Sequence, residues 1–448
     1  MFWNIGVTRT NSNKLLLIIL IMLSAMLLPS FEIRPSLPRV RLDEVLIFGA
    51  IAVNLLFWLA RHFRSRARSF YDLGLSNLEG QRRAQLAVTK VFLLLLGSIA
   101  ISNVYAVFFL GMSFGLRDVM EWVMIVKYYL VITLAISLDL QEGEFYVLRN
   151  TFLVGFGFII LLSWGQFLNI ANVNEWLTPF FAQSHLNNLV DANPPRILGT
   201  FDNPNVMGIF SVLTMTLFVT WFYFRRTDRS NAWVLILANA LALKLTFMTI
   251  SRTAFLATAS VLTFLSVWAM FKFHWKKGIL LKVGVLFVLT LTIFYTSPRG
   301  FVSRMNEATN LDKSTSAQGH FMRAGDAFEL IKKSPILGWG TAKSNMTTLV
   351  DDEYALVARR YGVLGLVFYL WFFLRPAKAA LRRAKVLNFY ATETGIRETK
   401  TLLSLAFTAA TLAIFVYNIT AGTFYNLQLM TLVALFMGII YRIEGEYD

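Results

Sequence analysis

The sequence predicts an all-α, polytopic membrane protein of about 12 transmembrane helices. Three observations carry that expectation. Hydrophobic residues make up 56% of the chain against 15% charged, apolar stretches recur along nearly all 448 residues, and Lys and Arg gather in short clusters between those stretches. A helix needs about 20 apolar residues to cross the roughly 30 Å hydrocarbon core of a bilayer. Backbone in hydrocarbon must satisfy its own hydrogen bonds, and the period-2 alternation of a barrel strand is missing, so the spans are read as helices.

The spans are expected at 14–31, 43–60, 91–112, 119–138, 150–170, 204–224, 232–250, 254–271, 279–296, 363–374, 402–420 and 425–441. The first run, Leu15 to Leu28 after Arg9 and Lys14, has the look of a signal peptide. Further spans follow at once, and it is read as a retained helix. The whole chain, 1–448, reads as a single integral-membrane domain with a smaller loop at 171–203 and a large loop at 297–362, between the ninth and tenth helices.

Twelve helices put both termini on one side of the membrane. Lys and Arg number 25 in the loops and adjoining helix ends on that side and 6 in the short loops on the other, which makes the termini cytoplasmic and turns both larger loops outward. The basic runs Arg61 to Arg68 and Arg375 to Lys400 then face the cytoplasm. The net charge of +16 belongs to this pattern and to anionic lipid headgroups, and nucleic acid is not expected as a partner.

The absence of cysteine excludes disulfides, thiolate metal sites and a cysteine nucleophile, and His62, His185, His274 and His320 are too scattered to suggest a metal site. There is no Walker loop, dinucleotide fingerprint, Asp-x-Asp pair or His-Glu-x-x-His motif. No metal or cofactor is expected. An outward-facing site without nucleotide chemistry needs a donor activated within the membrane, and a polyprenyl pyrophosphate sugar meets that need.

Candidate chemistry sits in the outward segments. The smaller loop ends in Asn193-Pro-Pro-Arg-Ile-Leu-Gly-Thr-Phe-Asp-Asn-Pro-Asn205, where Asn203 or Asn205 can cap the next helix and Pro204 suits its first turn. Capping leaves Arg196 unexplained; beside helix-opening amides it suits a phosphate. Arg252 sits in the tight connection Met248–Ala254, with Lys244 about two turns earlier in the same span. Arg252 either snorkels to headgroups or, with Lys244, lines a polar cavity for an anion. In the large loop Phe321, Ala324, Phe328 and Ile331 form one stripe of an amphipathic helix bearing Arg323, ended by Ser334-Pro335 and Gly338-Trp-Gly340. The loop closes with Val350-Asp-Asp-Glu-Tyr354, running on to Gly362. If Asp351, Asp352 and Glu353 converge on a desolvated site, at least one has a raised pKa and can act as a general base; otherwise they form a solvated acidic turn near Arg359 and Arg360.

Taken together, these residues resemble the O-antigen ligase and Wzy-type O-antigen polymerase superfamily of bacterial inner-membrane glycosyltransferases. The resemblance rests on Arg196 with Gly199-Thr-Phe-Asp-Asn-Pro-Asn205, Ser251-Arg-Thr-Ala254, Arg323 to Gly340, and Asp352-Glu-Tyr354 with Tyr361-Gly-Val-Leu-Gly365, covering about residues 190–370. It implies a GT-C-like bundle in a Gram-negative inner membrane, a periplasmic active site, and metal-independent, inverting transfer. Arg196, Arg252 and Arg323 would bind pyrophosphate, with Lys244 nearby. One of Asp351, Asp352 or Glu353 would orient or deprotonate the acceptor hydroxyl, and Tyr354 would position it. Undecaprenyl-pyrophosphate-linked oligosaccharide would be donor and acceptor, with a chain-length regulator protein as a partner. Ligases carry a histidine where this chain has Asp351 or Asp352, so the resemblance lies closer to the polymerases. The alternatives are a ligase acting on lipid A core or protein, and a transporter or flippase of anionic lipids.

Overall fold

The computed structural model describes residues 9–31, 40–50, 75–182, 189, 195–225, 229–297, 315–343, 345–346, 350–386 and 396–445. The run Arg61 to Arg68, His185, Asn193, Pro194, residues 298–314 and the second half of the expected span 43–60 lie outside the described residues, as do the side chains of His320 and Phe321. The long helices are α1 (Arg9–Leu27), α2 (through 42–50), α3 (Leu75–Leu110), α4 (Leu116–Ile136), α5 (Glu142–Leu168), α6 (Pro204–Phe224), α7 (Arg229–Met248), α8 (Arg252–Lys272), α9 (Lys277–Tyr295), α10 (Thr315–Lys333), α11 (Glu353–Val386), α12 (Ile396–Tyr417) and α13 (Leu427–Gly445). Apart from short helices after α5, the other regular structure among the described residues is a two-residue antiparallel ladder, Ser30–Phe31 with Val40–Arg41.

Among the described residues nine helices are long and apolar enough to cross a membrane, and Ser12–Leu27 and Ala232–Met248 are shorter apolar helices. The chain is a multi-pass membrane protein. Large apolar side chains such as Phe108, Phe109, Leu161 and Phe287 project outward from the bundle, as lipid-facing positions must. The bundle is layered accordingly: 83% of the apolar window of α6 is buried inside the protein against 17% for α9. α6 packs on α7, α8 and α12, α13 packs on α3 and α4, and α11 joins α3 to α12.

Two helices depart furthest from the expected spans. The span expected at 363–374 is the middle of α11, which starts inside the large loop and runs on through Pro376 to Val386. The expected span lies between Arg360 and Arg375, but a charge neutralised inside the protein does not end a helix: Arg360 is paired with the buried Glu121. α3 begins at Leu75, ahead of the expected start at 91, because its charged first turns dock on α13, where Gly445 lies against the Gly80 carbonyl.

Buried charges also fasten the first helices. The Arg41 guanidinium donates to the Ser24 and Leu28 carbonyls at 3.2 and 3.0 Å, closing the C-terminus of α1, and to Asp43 at 3.0 Å. Asp43 in turn accepts from Lys127 of α4 at 2.7 Å. Each cation has a carboxylate, as desolvated charge requires.

The large loop is held to the bundle by glycines. Within α11, Gly362 takes φ 64 and ψ −170, a conformation restricted in practice to glycine. There the Val363 amide donates to the Pro335 carbonyl at 2.8 Å, and Trp339 N donates to Arg359 O at 3.0 Å. Gly338 (φ 70) lies against Arg360 backbone and Gly340 (φ 68) against Asn103 of α3. Gly362→Ala is expected to cost about 1–3 kcal/mol in backbone strain alone, with a clash on the Ile336 carbonyl added. Gly157→Ala, with open space beside it, should stay within about 0.5 kcal/mol. Thermal melts of the detergent-solubilised variants test this; equal melting shifts would remove the argument.

Candidate functional site

The segment before α6 is fixed from below by one buried amide. Gln166 of α5 accepts from Leu198 N at 3.1 Å and Gly199 N at 2.8 Å and donates to Gly199 O at 2.9 Å, so the turn satisfies its polar groups there, with Gly199 at φ 59. Asn203 caps α6, accepting from Asn205 N at 2.8 Å, and Pro204 opens the helix. Asn205 is thereby free to do something else: its side-chain oxygen accepts from the Arg196 guanidinium at 3.0 Å.

Arg196 also donates to the Thr249 carbonyl at 2.9 Å, and Ile197 N to Met248 O at 3.3 Å. The loop thus crosses the α7–α8 connection, whose next helical residue is Arg252. Ser251 caps α8, accepting from Ala254 N at 3.3 Å, and the hydroxyls of Thr253 and Thr420 meet at 2.5 Å. Arg196 and Arg252 therefore flank one tight connection, both half-buried. Lys244 faces another way. Its ammonium donates to Thr296 O at 3.0 Å, closing the C-terminus of α9.

The turn 418–426 between α12 and α13 gathers the remaining elements. Glu353, buried at the start of α11, accepts the amides of Thr423 and Phe424 at 2.5 and 2.9 Å, while its own amide donates to Asn418 O at 3.1 Å. Asn418 donates to the Tyr369 hydroxyl at 2.8 Å, and Asn426 donates to Asp202 at 3.5 Å. Tyr417, buried beneath the turn, is within Coulombic reach of Glu353, Asp202 and Arg196. One end of the bundle thus joins the loop at 195–203, the connection at 249–253, the turn at 418–426 and the head of α11.

The three consecutive carboxylates do not converge, because the helix that starts at Glu353 sends them three ways. Asp351 pairs with Arg323 of α10 in a half-exposed ion pair. Asp352 accepts from Ala355 N at 3.0 Å, and burial raises its carboxyl above the ordinary aspartate range, partly offset by the Ala355 and Tyr354 amides. Glu353 is 1% exposed and spent on backbone amides, which makes it a strut. The Tyr354 hydroxyl donates to Phe415 O at 2.8 Å. Of the four, Asp351, Asp352 and Tyr354 are part-exposed and Glu353 alone is buried.

Beside them lies a cluster centred on Glu121 of α4. It accepts from Arg360 at 3.0 and 3.1 Å, from the Tyr361 hydroxyl, and from Lys343 at 2.9 Å. Arg360 also lies over the Tyr425 ring at 5.0 Å. The cluster pins the loop strand after α10 to the same end of the bundle. No group of His, Asp or Glu that could hold a metal is present among the described residues.

Sequence reasoning missed the turn at 418–426, which carries no charge, together with Asp202 and Glu121. Glu121 had a signal: a carboxylate inside an apolar span marks a partner or a function. No protein-family model and no curated protein matches the chain.

Removing the Glu121 carboxylate strands the Arg360 guanidinium in the interior. Glu121→Ala is expected to destabilise by about 3–5 kcal/mol, whereas Arg323→Ala, at the half-exposed pair, should cost no more than about 1 kcal/mol. Thermal unfolding in detergent checks the ranking, and a reversed order would refute the neutralising role of Glu121.

Proposed function

We propose that the chain is a Wzy-type polysaccharide polymerase, with twelve crossings, both termini cytoplasmic and the described site at the periplasmic face of a Gram-negative inner membrane. The observation that carries this reading is that Arg196 and Arg252 flank the same connection at the end of the bundle where Asp352 lies. The excess of Lys and Arg in the loops at the opposite end supports the orientation.

In this reading the diphosphate of an undecaprenyl-pyrophosphate glycan meets Arg196 and Arg252. Asp352 takes the proton from a hydroxyl at the non-reducing end of a second lipid-linked repeat, and that oxygen attacks the anomeric carbon from the face opposite the leaving group. The anomeric carbon–oxygen bond breaks, inverting the centre, and undecaprenyl pyrophosphate departs with the bonding electrons. Charge builds on the leaving oxygen, so fixed guanidinium groups beside it stabilise the transition state more than the ground state. Arg323, paired with Asp351, stands at the loop side and would exchange that carboxylate for the substrate anion. A ligase would share the donor half of this scheme and differ in its acceptor.

Purified protein offered lipid-linked repeat units alone should build a ladder, and failure to elongate them would reject polymerisation. Arg252→Ala should abolish long chains and leave single repeats on the lipid. Asp352→Asn should lower the initial rate roughly 10²–10⁴-fold, the span typical of general bases. A base must be deprotonated to act, and burial raises the pKa of Asp352. Activity is therefore present above that pKa and lost as pH falls through it, with a midpoint above the ordinary aspartate range; a pH–rate profile with no acid limb would rule out Asp352 as the base.

A further inference from the structure

At the end of the bundle opposite the candidate site, a crevice of about 590 Å³ opens between the last turns of α8 and the end of α11. Its walls are Phe264, Val267, Trp268 and Phe271, and Lys272 and Lys385 stand at its mouth. Lys272 spans the two helices, its ammonium donating to Lys385 O at 3.2 Å. The rings of Phe264 and Trp268 pack at 5.8 Å, and the Trp268 indole nitrogen is buried with no hydrogen-bond partner among the described residues.

The dimensions match one leaflet of a bilayer. Phe264 and Lys272 are eight residues apart, about 12 Å along a helix at roughly 1.5 Å per residue, against about 15 Å for half of a hydrocarbon core. The aromatic walls thus lie at acyl-chain depth and the ammonium groups at headgroup level, their stems running along the apolar surface. Trp268 sits one turn below the lysines, near the depth at which the ester carbonyls of a phospholipid lie. No acidic residue lines the crevice. Its volume falls within the usual range for small-molecule pockets, about 300–1,000 Å³.

We propose that this crevice holds one anionic diacyl phospholipid of the leaflet on that side, an acyl chain along the aromatic face of α8 and the phosphate against Lys272 and Lys385. Neither lysine belongs to the glycan-transfer machinery, so the inference stands or falls apart from the polymerase reading.

Full-length protein in mild detergent, given phosphatidylglycerol or phosphatidylcholine with the same acyl chains, provides the test by native mass spectrometry. Wild type should retain one phosphatidylglycerol under activation that strips phosphatidylcholine. The double variant Lys272→Gln/Lys385→Gln should weaken that retention roughly thirtyfold, about fivefold for each lysine near an anionic headgroup. Val267→Trp, which fills the crevice and leaves the lysines, should also lose the bound lipid. Thermal melts matching wild type certify both variants as folded. Equal retention of the two lipids, full retention by the filled variant, or preferential capture of undecaprenyl phosphate over phosphatidylglycerol would each overturn the proposal.

Discussion

The buried carboxylate of Glu353, accepting the amides of Thr423 and Phe424, is the interaction on which the site-bearing end depends. Thr423 and Phe424 of the turn between the last two helices are buried, where an unsatisfied amide costs about 1–3 kcal/mol. One acceptor at the head of α11 answers two of them. With Glu353 fixed, Asp352 caps the helix and Asp351 is carried outward to α10. The turn then delivers Thr420 to α8 and Asn426 to the loop before α6.

A second constraint is the hydrocarbon itself. Helices that must cross it satisfy their own backbone, so irregular chain collects at the ends, and there two described segments borrow acceptors from a neighbouring helix. Gln166 serves the loop at 195–203 from within α5, and Asn103 of α3 accepts from the Thr341 amide and hydroxyl at 2.7 Å each. The described parts of the loops at this end are therefore extensions of the bundle's packing.

Much of this was legible in the sequence. Apolar windows located the long helices, and the Asn-Pro-Asn pattern gave the cap of α6 through the ordinary preference for polar caps and an early proline. Less legible was anything that depends on which charge meets which. Hydropathy left Arg360 outside the span expected at 363–374, because a window cannot know that Glu121 waits on another helix. Asp351, Asp352 and Glu353 look alike in a row, and only the exact start of α11 separates an ion pair, a cap and a buried strut. The turn at 418–426 was silent because its polar contacts run through uncharged groups.

The cations at this end are occupied at rest: Arg196 by Asn205 and a carbonyl, Arg323 by Asp351, Arg360 and Lys343 by Glu121. An arriving anion must therefore swap places with an internal ligand rather than settle into a vacancy. In the proposed reaction such exchange would lower affinity for stray phosphate and supply a ready replacement that helps expel a spent diphosphate. The molecule would give up tight binding in return for turnover.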